Sequence, residues 1–335
     1  MFIPPLSRSP SRISSLRRCE RKFFFTYYWR NLPWTELESK QRDILFLKIL
    51  QTIPNRSWNL IHSIISHYLH EKEKNPDITI EQYKEMYFEK IIENKIKQPY
   101  YNSLQRDYSK WYQEWDKKKA SEGELIGLIE HFHKEIKDSE HEVVINNIID
   151  KITHSIDNII ETPVYQSISD KTDNKKIYIE PMKTDFEEMK FKSDNIPWTD
   201  LFVQPDFWMK DEKNTYVIID RKTGKNNNWE DEITDQLLAQ AYRIYTQEKL
   251  TDDAIIEWYL CNLDTWWELS WWRISINEVK EYENKIKDNI ETLKDLLIDR
   301  DPQKNEPIWI EKFHKTDDVN KCKFCAFRSI CNRNA

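Results

Sequence analysis

The sequence predicts an α/β, or α+β, fold: a mixed central sheet flanked by helices, with a helical insertion ahead of it. Three observations carry that expectation. Apolar residues recur at helical spacing through roughly the first half of the chain. Near residue 177 the period shortens to that of strands. An amphipathic helix, two aromatic strands and a last helix then follow before a cysteine-bearing tail.

Taken in order, Ser9 or Ser11 caps a first helix with Pro10 in its first turn, Cys19 within it, and Ile13, Leu16, Phe23 and Tyr27 near one face. A second helix is expected over 57–69, where Leu60, Ile61, Ile64, Ile65, Tyr68 and Leu69 keep the helical period. Helices over 81–96, 104–115 and 124–160 follow, separated by Pro76, Pro99 and Gly123. Strands are read at 177–179, 186–191, 201–208 and 215–220, then a helix at 232–247 and strands at 254–263 and 266–276. The last helix, 279–297, places Val279, Tyr282, Ile286, Ile290, Leu293 and Leu297 on one stripe. The expected division is N-terminal helices over 1–70, a helical insertion over 71–170, the core over 171–300 and the tail over 301–335.

Composition narrows the chemistry. The 335 residues are 39% hydrophobic, enough to fill a core, and no apolar run approaches the roughly 18 residues of a membrane span. The opening Met1-Phe2-Ile3-Pro4-Pro5 lacks the long apolar stretch of a secretory signal, so the expectation is a cytoplasmic chain with no membrane partner. The three glycines, Gly123, Gly127 and Gly224, cannot build a P-loop or a dinucleotide fingerprint, and there is no G-x-S-x-G elbow. Any ATP-driven motor is therefore a separate helicase or ATPase partner. Net charge is −7, which argues against coating nucleic acid through bulk electrostatics. Yet residues 1–30 hold seven basic residues against Glu20, a local balance of +6 that leaves −13 for the rest. Arg17, Arg18, Arg21 and Lys22 are the candidate phosphate contacts, with a solvated helix face as the plainer alternative.

Chemistry concentrates in two short stretches. Gln204-Pro205-Asp206 lies near a strand end, and fourteen residues on from Asp206, Val217-Ile218-Ile219 drives a second strand that delivers Asp220 and Lys222 to one side, since strand side chains alternate. Two carboxylates beside an ammonium suit phosphodiester hydrolysis with a hard metal. Asp206, Asp220 and the backbone carbonyl of Arg221 supply oxygen ligands to Mg²⁺ or Mn²⁺. Lys222 can position or help deprotonate the attacking water and offset charge on the phosphate.

This P-D…D-x-K pattern resembles the PD-(D/E)XK nuclease superfamily, and Asp220-Arg221-Lys222-Thr223-Gly224 is similar to its RecB branch. The resemblance implies a restriction-endonuclease-like core. It also implies a metal-site histidine on an upstream helix, which Ser57-Trp58-Asn59-Leu60-Ile61-His62 would supply as His62, although the glycine usual near the start of that motif is missing. Downstream, the branch carries a glutamine followed four residues later by tyrosine. Gln236 fills the first position; Gln240 stands in the second.

Five cysteines are too few for a disulfide framework in a chain of this length. Cys322, Cys325 and Cys331 form a C-x2-C-x5-C knuckle short of one thiolate, for which Cys19 is the candidate; Cys261, in an aromatic strand, reads as a buried small hydrophobe. Spacing alone admits zinc or iron-sulfur. The segments 14–24 and 321–331 resemble the ends of AddB-type and CRISPR-adaptation nucleases, which implies a [4Fe-4S] staple at Cys19, Cys322, Cys325 and Cys331 rather than Zn²⁺. The function so implied is a DNA nuclease serving repair, recombination or phage defence, with DNA and a helicase or defence-system subunit as partners. The alternatives are a catalytically silent nuclease-fold subunit and a zinc-stapled helical interaction protein. Trp266, Trp267, Trp271 and Trp272 are candidates for stacking unpaired bases or, as strand residues, for core packing.

Overall fold

The strand Thr215–Lys222 (β6) is buried along its length up to the half-buried Lys222, as a strand covered on both faces must be, and the larger sheet is organised around it. A computed structural model describes residues 6–28, 43–44, 46–107, 127–159, 162, 176–179, 190–211, 214–222, 230–263, 269–323 and 325–331. Arg30, Gly123, Thr223-Gly224, Trp266-Trp267, most of the helix expected over 104–115 and most of the strand expected over 186–191 lie outside them. The chain divides into two compact units: Met1–Arg17, Ile65–Asp77 and Asp157–Ile308 in one, and Arg18–Ile64, Ile78–Ile156 and Trp309–Ala335 in the other.

The first unit has the mixed α/β architecture that the sequence predicts. A three-stranded sheet runs in the order β1 (Ser7–Arg8), β4 (Ile196–Phe202), β3 (Lys190–Ser193). A five-stranded sheet runs β2 (Lys176–Ile179), β5 (Phe207–Lys210), β6, β7 (Ile255–Asn262), β8 (Leu269–Ile274). Only the β6–β7 pair is parallel within it, joined by the crossover helix Glu230–Glu248, which we label α8 by its place among the helices. On α8, Gln240 meets Trp258 of β7. Tyr242, on the helix's other side, packs on Phe191 of β3 and on Tyr282 of the last helix, Ile276–Lys294 (α9). That helix starts in a capping box between Ser275 and Glu278, and its stripe from Val279 to Leu293 is buried.

Two expectations need correction. The strand expected over 201–208 is two strands: β4 ends at Phe202 and β5 begins at Phe207, each in a different sheet. Pro205 has no N–H for a ladder, so the chain changes sheets where the apolar pattern reads as continuous. Asp206 consequently precedes a strand rather than ending one. Secondly, Pro99 does not separate helices. Ile80–Ile91 (α4) passes through a π-helical segment, Ile92–Lys97, into Gln98–Leu104 (α5); Pro99 cannot donate to the Lys95 carbonyl one turn back, and Arg56 Nη2 donates there instead at 3.3 Å.

The second unit is helical, with Glu20–Tyr27 (α2), the first half of Ile53–Lys74 (α3), α4, α5, Ile129–Phe132 (α6) and most of His141–Asn158 (α7). The preceding helix, Pro10–Arg18 (α1), is capped by Ser9, whose hydroxyl accepts from the Arg12 amide at 3.1 Å. The tail is strapped to α2. Arg21 donates its amide to the His314 carbonyl and its Nε to the Phe313 carbonyl, both at 3.0 Å, while the His314 amide donates to Glu20 Oε2 at 2.8 Å. Phe24 packs on Phe313 and Phe25 on Phe327.

Candidate active site

A turn sets the register on which the site depends. Asn214 takes a positive φ of 60°, a conformation asparagine tolerates, and the Thr215 amide donates to Asp211 Oδ1 at 2.8 Å. The β5–β6 pairing that follows matches Lys210 with Tyr216 and Phe207 with Ile219. One step further, Asp206 comes level with Asp220. Burial of Val217, Ile218 and Ile219, worth about 1.5–3 kcal/mol each, holds β6 in that register. A one-residue slip would turn Asp220 to the opposite face.

The two carboxylates are tied differently. Asp206 Oδ2 accepts from the Arg221 amide at 2.7 Å, with Arg221 Nε 3.6 Å from the same oxygen. Asp220 is fully buried; its Oδ1 accepts from Gln236 Nε2 at 2.8 Å and from Gln240 Nε2 at 3.1 Å. Its Oδ2 makes an ion pair with Lys222 Nζ at 2.8 Å and, among the described residues, accepts no other hydrogen bond. Lys222 Nζ also donates to Gln236 Oε1 at 2.8 Å. Asp220, Lys222 and Gln236 thus form one network on β6 and α8, and Asp206, just ahead of β5 and tied to Arg221, adds its charge beside it. Gln240 joins it. The sequence signal was its spacing of four from Gln236, which puts both amides on one helix face.

Burial pushes the Asp220 carboxyl above the ordinary range; Lys222 draws it back and Asp206 adds to the rise. For Lys222, burial works against the charged form, but Asp220 and Asp206 outweigh it and hold the ammonium above its usual value. The arrangement sets two carboxylates against two cations, Arg221 beside Asp206 and Lys222 beside Asp220. A set of two carboxylates is suited to a hard divalent ion that keeps waters and takes its remaining oxygens from substrate. Among the described residues, no three His, Cys, Asp or Glu side chains are gathered closely enough to hold a metal ion by themselves.

The remaining candidates are described by their own surroundings. His62 stands on α3 in the second unit, its ring edge-on to Trp58 at 3.9 Å. Arg17, Arg18 and Lys22 are exposed, whereas Arg21 is half-buried against the Phe313 carbonyl. Arg8 and Arg12, which contribute to the basic end of the sequence, are buried. Trp271 and Trp272, on the edge strand β8, are 51% and 41% exposed, and Trp272 packs on Trp258.

Cys19, Cys322, Cys325 and Cys331 all belong to the second unit. Cys19 Sγ accepts from the Lys22 amide at 3.4 Å and so caps α2. Burial pushes the Cys325 thiol up, with Lys22 easing the rise and Cys19 and Cys322 adding to it. Burial also raises Cys331, opposed by Lys315 and reinforced by Cys19 and Cys322. Cys325 and Cys331 therefore each lie within electrostatic reach of Cys19 and Cys322. Cys261 lies apart in β7, buried, its thiol pushed up to about 12 by desolvation, as a small apolar filler would be.

Compared with known families, the chain matches the family model of the PD-(D/E)XK nuclease superfamily over residues 7–332. No curated protein matches it. Among the described residues no helix is long and apolar enough to cross a membrane.

Proposed function

This chain belongs to the PD-(D/E)XK nuclease superfamily, and we propose that it is a Mg²⁺- or Mn²⁺-dependent deoxyribonuclease of the RecB/AddB-like branch, carrying a [4Fe-4S] cluster. The observation that carries the reading is that Asp220 and Lys222 are paired in one network while the β5–β6 register brings Asp206, held by the Arg221 amide, level with Asp220.

Asp206 and Asp220, with the backbone carbonyl of Arg221, would hold the divalent ion, which when bound supplies a Lewis acid at the scissile phosphate. His62 is proposed as a further ligand on the strength of its sequence motif. Gln236 joins Lys222 to Asp220 and so fixes the ammonium relative to the carboxylate. Kept protonated by its carboxylate neighbours, Lys222 serves to offset charge that develops on the phosphoryl oxygens. Because these groups are locked by one another before substrate arrives, little reorganisation is required during reaction.

The cluster reading is supported by the strapping of α2 to the tail and by Cys19 and Cys322 lying within electrostatic reach of Cys325 and Cys331. The proposed role lies in repair, recombination or phage defence, with unwinding supplied by a separate helicase.

The test is incubation with end-labelled single-stranded, duplex and flap DNA, with and without Mn²⁺, beside Lys222→Ala. Cleavage that needs the metal and vanishes in the variant is the expected result; parent protein that leaves all three substrates whole would defeat the proposal. Stoichiometric zinc in colourless, anaerobically purified protein would overturn the cluster.

A further inference from the structure

We propose that Gln240 is a positioning residue for the metal ligand Asp220, and that the indole of Trp258 decides which end of the Gln240 amide faces the carboxylate. The inference rests on the assignment of Asp220 as a ligand and deepens it.

Gln240 is fully buried, so no water can exchange for its partners. Trp258 is also fully buried, and its Nε1–H donates to Gln240 Oε1 at 2.9 Å. An indole nitrogen only donates, so the end of the amide that meets it must be the oxygen. The other end, Nε2, is then obliged to point to Asp220 Oδ1, where it donates at 3.1 Å. A glutamine free to flip would present its oxygen to a carboxylate half of the time, and two acceptors facing each other in a dry site repel.

The second amide, Gln236, reaches the same Oδ1 from one turn earlier on α8. Two donors thus occupy Oδ1, which leaves Oδ2 for cationic partners: Lys222 now, and a divalent ion when one is bound. The orienting indole is itself wedged. Trp258 is paired in register with Trp272 on β8, and their rings lie 5.0 Å apart. The line Trp272, Trp258, Gln240, Asp220 therefore runs from the exposed sheet edge to the carboxylate.

Mn²⁺ affinity, measured by calorimetric titration of the full chain, tests this without reliance on turnover; Asp220→Ala identifies the heat that belongs to the site. Gln240→Met keeps the shape and removes the donor, and its Mn²⁺ dissociation constant is expected to rise roughly tenfold to a hundredfold. Trp258→Phe leaves Gln240 in place without its orienting partner and should weaken Mn²⁺ by about fivefold, the equivalent of one neutral hydrogen bond. A purely structural role would lower melting temperature in both variants and leave affinity alone. Parental affinity, within twofold, in folded Gln240→Met overturns the proposal; if that variant does not fold, parental affinity in Trp258→Phe does so. Parent protein that binds Mn²⁺ yet leaves DNA uncut defeats the nuclease reading only, and the same affinity comparison still decides this one. Parent that binds no Mn²⁺ at the site overturns both.

Discussion

Arg8 and Asp235, 227 positions apart in the chain, form a buried ion pair with Arg8 Nη2 3.2 Å from Asp235 Oδ2. Tyr282 completes it: its hydroxyl accepts from Arg8 at 2.6 Å and donates to the Asp235 carbonyl at 2.9 Å. Asp235 directly precedes Gln236, so this pair fixes the start of the helix face that grips Asp220 and Lys222. Arg8→Met leaves the carboxylate buried with Lys285 as its remaining cation, and should cost about 3 kcal/mol, toward the low end for a broken buried pair. Urea unfolding measures it. Arg8→Met combined with Asp235→Leu should recover part of the loss, because no charge is then left stranded; an additive double variant would exclude the pairing as the cause.

The contrast between Arg8 and Asp220 shows what the sequence could reveal. Asp220 and Lys222 were legible because both sit on an apolar strand run whose alternation fixes their side, whereas Asp206 was read from its P-D pattern and on the wrong strand. Arg8 counted toward a basic end because its partner lies far away in sequence, and burial of a charge is a property of the partner. The break at Pro205 was hidden by apolar residues on both sides, although the two strands serve different sheets. Gln240 read as a departure from a pattern, since nothing local announces that Trp258 will meet it. The unbroken run through Pro99 depends on a π-helical turn, which has no compositional mark.

Lys222→Ala should separate catalysis from metal binding. The ammonium touches Asp220 Oδ2 and Gln236 Oε1 but is not an oxygen ligand, so its removal should lower the cleavage rate by about 10²–10³-fold while the protein still gains melting temperature on addition of Mn²⁺. Asp220→Ala should lose both. Thermal melts with and without Mn²⁺, run beside the cleavage assay, check it; a Lys222→Ala protein that no longer responds to Mn²⁺ would make the lysine necessary for the ion's site.

The cysteines offer an internal control. Cys19→Ala is expected to remove iron from the anaerobically purified protein and to lower its melting temperature, since α2 loses both its sulfur cap and the proposed cluster. Cys261→Ala, in β7, should keep its iron, because that thiol is desolvated and belongs to the other unit. Iron and sulfide assays on the two variants distinguish them, and equal iron in both would remove Cys19 from the cluster.

Acid should act first on a buried histidine. His131 is 7% exposed; its Nδ1 pairs with Ser103 Oγ at 3.0 Å, its ring stands edge-on to Tyr100, and the ring of His141 lies 5.7 Å away. Desolvation, then the neighbouring His141, lowers its pKa to about 4, against 6.5 in the unfolded chain. Between those values the unfolded chain binds a proton that the folded one refuses, so stability is fully present above pH 6.5 and is lost as pH falls toward 4. The shift corresponds to about 3 kcal/mol. Melting temperature followed from pH 7 to 4.5 should therefore fall more steeply in the parent than in His131→Gln, whose side chain carries no proton to refuse. Parallel curves would assign the acid sensitivity to other groups.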